Sequence, residues 1–220
     1  MILSKRLKAI AGMITPGTVI ADIGTDHAFL PIEMVRSGQI PCAIAMDINP
    51  GPLDIARRHI DEAHLSAKIE CRLSDGMSSL LRNEVKCAVI AGMGGDLISR
   101  IITNDPDKAG ELILAPHTHP ETVRATLRRF SYEIIDEDMI IDSEKYYTII
   151  KAVKSDDQLQ EPEDYEDFFG PVLIKKRSNC LHTFLLKEKY KFSDIPQKSS
   201  YIDLINRTLE EMDIIDDDNN

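Results

Sequence analysis

A doubly wound α/β sheet followed by a helical hairpin is predicted by three features of this sequence. Between residues 18 and 154, short β-branched runs alternate with amphipathic stretches. Most of these runs are apolar at consecutive positions, as strands buried on both faces are, and beyond residue 170 the periodicity becomes helical. The predicted division is an α/β domain over 1–155 and an acidic linker with a helical hairpin over 156–220.

The elements follow in order. TVIADIG (18–24) is a buried strand ending in Gly, and HAFLPIEMVRSG (27–38) a helix stopped by Gly38. CAIAMDI (42–48) is the second strand, and GPLDIARRHIDEA (51–63) a helix that tolerates Pro52 in its first turn. KIECRLSDG (68–76), CAVIAGMGG (87–95) and ELILAP (111–116) supply three more strands. Between the last two, DLISRIITN places Leu97, Ile98, Ile101 and Ile102 on one helical face. HPETVRATLRRF (119–130) is another helix; YEIIDEDMIID (132–142) and KYYTIIKAVK (145–154) close the domain as an antiparallel pair. Past the acidic stretch SDDQLQEPEDYED (155–167), read as solvated linker, residues 171–192 can form one helix and 199–215 a second. The Pro196 region turns between them, giving an antiparallel hairpin long enough to pack on itself and project, and the acidic end reads as a frayed tail.

Composition removes several classes. The chain has 220 residues, 29% charged and 43% hydrophobic, with a net charge of −11. No apolar run approaches the ~20 residues of a membrane span. Lys5, Arg6 and Lys8 interrupt the start before a secretory signal could form, so a cytoplasmic protein is expected. Four cysteines without a CxxC pair read as reduced core thiols, three of them in strand-like segments. His117 and His119 lack a third ligand, so no metal is expected. The acidity opposes indiscriminate polyanion binding but leaves room for a local basic face. Nothing in the sequence requires a stable protein partner.

Ligands of open α/β sheets sit at the carboxyl ends of the strands. There this sequence places Asp22-Ile23-Gly24-Thr25-Asp26-His27, Asp47-Ile48-Asn49, Asp75-Gly76-Met77 and Ala91-Gly92-Met93-Gly94-Gly95. Gly24 allows a tight turn and close backbone approach. Asp47, about 23 residues further on, suits two ribose hydroxyls. Asp75 with Gly76 suits an adenine amine, though alone it is also a common turn. In DIGTDH, Asp26 stands where a pyrophosphate-binding loop needs its second Gly. A carboxylate there repels phosphate and suits a sulfonium, which favours S-adenosylmethionine over a nicotinamide dinucleotide.

DIGTDHAFLP (22–31), AMDINPGPL (45–53), LSDGM (73–77) and VIAGMGG (89–95) resemble the bacterial tRNA (adenine-N1)-methyltransferase family that modifies the adenine at tRNA position 22. The likeness continues through LILAP, EDMIIDSEKYYTII and FFGPVLIKK, nearly the whole chain. It implies a Rossmann-like methyltransferase sheet with a coiled-coil-like C-terminal extension, S-adenosylmethionine as donor and tRNA as substrate. It places Asp22, Gly24, Asp26, Asp47, Asp75, Gly76 and Gly92 around the cofactor, and Thr25, His27, Ile48, Met77, Ala91 and Met93 flank them. Ala115-Pro116-His117 departs from the family's Gln-Pro-Asn, so any role of those two amides does not carry over.

Adenine N1 already holds a lone pair, so the reaction needs alignment and stabilisation of an emerging cation rather than a strong base. Asp26 is the candidate for that stabilisation; capping the following helix is its structural alternative. Gly94 and Gly95 are expected to leave room for an extruded base. Arg124, Arg128, Lys175, Lys176 and Lys187, with Lys189 and Lys191, are the candidate tRNA contacts, gripping phosphate along the hairpin. Competing readings are a methyltransferase of the same fold with a non-RNA substrate, a nicotinamide-dependent oxidoreductase, and a non-catalytic RNA-binding module.

Overall fold

A computed structural model describes residues 3–214. The β-branched runs become five short parallel strands: β1 (Ile20–Ile23), β2 (Ala43–Asp47), β3 (Ile69–Leu73), β4 (Cys87–Ala91) and β5 (Glu111–Ala115). Two longer strands, β6 (Tyr132–Asp142) and β7 (Lys145–Lys154), form the expected antiparallel pair. The order is β3-β2-β1-β4-β5-β7-β6, with β7 antiparallel to β5. The order reverses beside β1 and β4, which makes their carboxyl ends the switch point.

Alternation along each strand feeds two cores. Ile20, Cys87, Val89 and Ile113 face the layer of α1 (Lys5–Met13), α2 (Phe29–Arg36) and α3 (Pro50–Glu62). Ala21, Ala88, Ile90, Leu112 and Leu114 face α4 (Gly95–Asn104) and α5 (Pro120–Arg129). Burial on both faces is why these strands read as continuous apolar runs. Ile98, Ile101 and Ile102 are buried as their spacing requires, whereas Leu97 turns outward at 37% exposure. All four cysteines are free, but only Cys87 is buried; the expectation of core thiols fails for the others.

The C-terminal part differs from its prediction in three ways. The single helix over 171–192 breaks into α7 (Pro171–Lys175) and α8 (Asn179–Phe192), because Arg177 adopts φ 53° and Ser178 accepts from the Leu181 N–H to start a new helix. The acidic stretch is not wholly solvated. Its end forms α6 (Asp164–Phe169), opened by a reciprocal Glu163–Glu166 cap, and Arg207 of α9 (Ser199–Ile214) holds Asp164 at 2.7 Å. Finally, α8 and α9 do not stand alone. Leu181, Leu185, Ile205 and Met212 share an apolar cluster with Phe169, Leu173 and Met139 of β6. The predicted frayed tail beyond residue 214 lies outside the described residues.

A buried ion pair joins this helical cluster to the sheet. Arg124 of α5 is 1% exposed and donates Nε–H to Glu137 of β6 at 2.8 Å. Its Nη1 donates to the carbonyls of Asp167 and Phe168, while Glu137 Oε2 accepts the Val172 N–H at the start of α7. Gly170, at φ 101°, must be glycine here, since a Cβ would stand 2.6 Å from Glu137 Oε2. Arg124→Met should lower the unfolding free energy by about 3–5 kcal/mol, because the Glu137 carboxylate is left buried and unpaired. Adding Glu137→Gln, which removes that charge and keeps an acceptor for Val172, should recover part of the loss. Urea unfolding of the three proteins measures both, and no recovery in the double variant would refute the buried charge as the cause.

Candidate active site

The ends of β1, β2 and β4 open onto a cleft of about 620 Å³. Three features position its residues. Gly24, at φ 76°, ends β1 in a turn whose backbone N–H groups at 24 and 25 both donate to the Met46 carbonyl. Asp47 ends β2 and accepts the Asn49 N–H at 2.7 Å, which fixes its carboxyl ahead of α3. After β4, Gly92 turns at φ 79°, and the loop is fastened to the one after β5: the His117 N–H donates to the Met93 carbonyl and the Gly95 N–H to the Thr118 carbonyl, each at 2.8 Å.

Asp22, Asp47 and Asp75 line one side of this cleft, so it collects negative charge. Enclosure pushes the Asp22 carboxyl up to about 6, and Asp47 adds to the shift. The Thr25 hydroxyl pulls the other way without completing a hydrogen bond of good geometry. A buried hydroxyl without a full partner, beside clustered carboxylates and turns with no Cβ, fits a cationic ligand carrying polar groups. Ile48, 57% exposed at the cleft edge, offers an apolar surface for a flat ring. Asp26 stands at the rim with its side chain 73% exposed and its Oδ2 3.1 Å from His27 Nε2. It is not the cap of α2: Ala28 occupies that position, in the left-handed conformation and with no side-chain bond.

Of the residues expected around a cofactor, all line the cleft except Met77, which is buried in the core beneath α4. Gly94 and Gly95, expected to leave room for a base, are not among the residues that line the cleft. A Cβ at Gly95 would meet the His119 carbonyl at 2.3 Å, so this glycine serves loop-to-loop packing. Arg124 is unavailable to RNA because it is buried, and Arg128 is engaged by Asp167 and Glu161. Lys176 pairs with Asp136, Lys187 lies over the Tyr146 ring, and Lys175 is exposed on α7. The sequence reading missed Arg6, Phe29, Leu97 and Arg100 as lining residues. Their signal was weak: Arg6 lies on α1, and its partner His117 is 111 residues away along the chain. Among the described residues no three His, Cys, Asp or Glu side chains are grouped to hold a metal, and no helix is long and apolar enough to cross a membrane.

Residues 3–150 match the family described as methyltransferase domain. The chain is 38% identical over 157 residues to the tRNA (adenine(22)-N(1))-methyltransferase of Bacillus subtilis, an alignment covering 70% of this chain and 66%, just under two thirds, of that one. A Streptococcus pneumoniae protein in complex with S-adenosyl-L-methionine superposes with a TM-score of 0.87 at 30% identity, covering 96% of this chain and all of its own. TrmK of Mycoplasma capricolum, bound to S-adenosyl-homocysteine, gives a TM-score of 0.82 at 30% identity over 98% of this chain and 99% of that one.

The weakened acidity of Asp22 has a stability consequence. An unfolded Asp ionises near pH 4, so between there and about 6 the unfolded state releases a proton that the folded state keeps. Folding stability is therefore lost as pH rises through that window, by up to about 3 kcal/mol, and levels off above it. Asp22→Asn should remove this loss, so the variant is the more stable protein at pH 7. Thermal or urea unfolding from pH 4 to 7 tests it; parallel curves for the two proteins would contradict it.

Proposed function

Because the chain belongs to the methyltransferase-domain family and, within it, to the tRNA (adenine(22)-N(1))-methyltransferases, we propose that it transfers a methyl group from S-adenosylmethionine to N1 of the adenine at position 22 of tRNA. The observation that carries the reading is the set of three strand-end carboxylates in one cleft, with Asp26 where a phosphate binder would place glycine. That arrangement disfavours a dinucleotide and favours a cation.

The cofactor supplies an electrophilic methyl on a sulfonium. The chain supplies the rest. Asp47 accepts from the ribose hydroxyls, Asp75 from the adenine amine, and Asp22 faces the ammonium. Ile48 packs on the adenine plane. Gly24, Thr25, Gly76, Ala91, Gly92, His27 and Met93 shape the wall, and the positive-φ glycines bring backbone close without a side chain. Asp26 stabilises the positive charge that appears on the base as its N1 lone pair forms the new bond and the carbon–sulfur bond breaks. We assign 1–155 to catalysis and 156–220 to tRNA contact. With Arg124 and Arg128 spent on structure, that contact falls to Lys175, Lys187, Lys189 and Lys191. A cytoplasmic location follows from a tRNA substrate.

The direct test is transfer of labelled methyl to matched transcripts bearing adenine or guanine at position 22, followed by nucleoside analysis. Label in 1-methyladenosine with the adenine transcript alone is the expected result, and label at another nucleoside would overturn the substrate. Cofactor affinity supplies a second prediction. A cation binds the ionised Asp22 best, so the dissociation constant should fall as pH rises from 5 to 7 and flatten above the Asp22 value of about 6. Calorimetric titration of wild type and Asp22→Asn reads this, and an equal pH slope in both would exclude Asp22 as the ammonium partner.

A further inference from the structure

The wall of the cleft opposite the strand-end acids is built by residues from three separate elements. Arg6 reaches in from α1 and places Nη1 2.6 Å from His117 Nε2, just after β5. Both groups meet the Tyr147 ring of β7: the guanidinium lies 5.1 Å from its centroid, and the imidazole stands edge-on at 5.7 Å. Among the described residues Arg6 has no carboxylate partner for its guanidinium, although its backbone N–H donates to Asp142. The backbone bond from His117 to Met93 sets this wall beside the glycine loop.

Hydrogen-bond polarity settles the tautomer. A guanidinium has no lone pair to offer, so Arg6 donates and His117 Nε2 accepts. The ring is then neutral, and its one proton sits on Nδ1, for which no partner occurs among the described residues. Protonation would leave Nε2 with a hydrogen facing the guanidinium. His117 is accordingly held below the usual imidazole range, by partial enclosure first and then by the charges of Arg6 and of Lys145 on β7.

We infer that His117 is the acceptor-side residue of the cleft, donating its Nδ1–H to a ring nitrogen of the target adenine other than N1, and that Arg6 is the positioning residue that fixes its tautomer. This rests on the proposed methyl transfer, since it assumes a donor bound against Asp22, Asp47 and Asp75. An N–H donor cannot pair with N1 without blocking the attacking lone pair, which leaves N3 or N7 as its acceptor.

The test combines kinetics on the full-length protein with an imidazole spectrum. His117→Phe keeps the ring and loses the donor. It should lower single-turnover methyl transfer to tRNA by about 10–100-fold while S-adenosylmethionine affinity stays within about twofold. His117→Asn, which retains an N–H donor, should recover most of that rate. Arg6→Met should move the acid limb of the rate profile to higher pH, and Arg6→Lys should move it back. In parallel, the Nδ1–H signal of His117 in the S-adenosyl-homocysteine complex should shift on adding adenosine monophosphate. Unchanged transfer by His117→Phe, an equal loss of cofactor binding, or an acid limb indifferent to Arg6 would each overturn the inference. A wild-type protein that does not methylate tRNA but shows the nucleotide-induced shift would refute the proposed substrate and leave the adenine contact standing; no transfer and no shift would refute both.

Discussion

The Arg124–Glu137 pair fixes where the C-terminal helices sit on the sheet. Apolar contacts between Met139 and the C-terminal helices have no direction, so they cannot by themselves fix an orientation. The ion pair can. Arg124 holds the end of α6 by two carbonyls, and Glu137 holds the start of α7 by its amide, so the chain is clamped on either side of Gly170. Both partners are essentially without solvent, which makes a loose arrangement costly. Arg124 also lies on α5, whose preceding loop carries His117 at the cleft. One ten-residue helix thus links the seat of the C-terminal helices to the rim of the site.

The same residue shows how sequence and structure part company. On the sequence, Arg124, Arg128 and Arg129 form a basic helical face, and a basic face suggests nucleic acid. The acids that neutralise the first two, Glu137, Glu161 and Asp167, are distant along the chain, and only the fold reveals the pairing. Charge patterns read from sequence locate cations but not their partners. That is why Arg124 and Arg128 are occupied elsewhere while the strand-end aspartates do line the cleft: the latter depend on local order alone. A strand that ends must deliver its next residues to the carboxyl edge of the sheet, whatever happens elsewhere.

Strands and helices were legible to within a few residues for a related reason. Burial on both faces imposes apolar runs, and α4 and α5 impose the helical period. The α7–α8 break was not legible, since Arg177 adopts positive φ without a glycine and only Ser178 marks the new cap. Nor was the inward reach of Arg6, which depends on α1 packing beside the β6–β7 hairpin. The glycine loop was half legible. Four residues after β4 signalled a close approach, and the one seen is that of the neighbouring loop to Gly95.

That loop contact bears on the chemistry. With Met93 and Gly95 bonded to residues 117 and 118, the β4 and β5 loops move as one piece, so the acceptor-side wall keeps a fixed relation to the turn at Gly92. On the proposed reading, methyl transfer carries one positive charge from the sulfonium to the base. The cleft is polarised along that path. Carboxylates gather at the donor end, and a guanidinium bonded to a neutral imidazole stands at the other. The donor end therefore holds the reactant cation and binds the uncharged thioether product less strongly. The acceptor end tolerates a neutral adenine and opposes the methylated, cationic one. Both products are thus held more weakly than the substrates from which they came, and Asp26, at the rim between the two ends, is placed to offset the new charge only while it is forming.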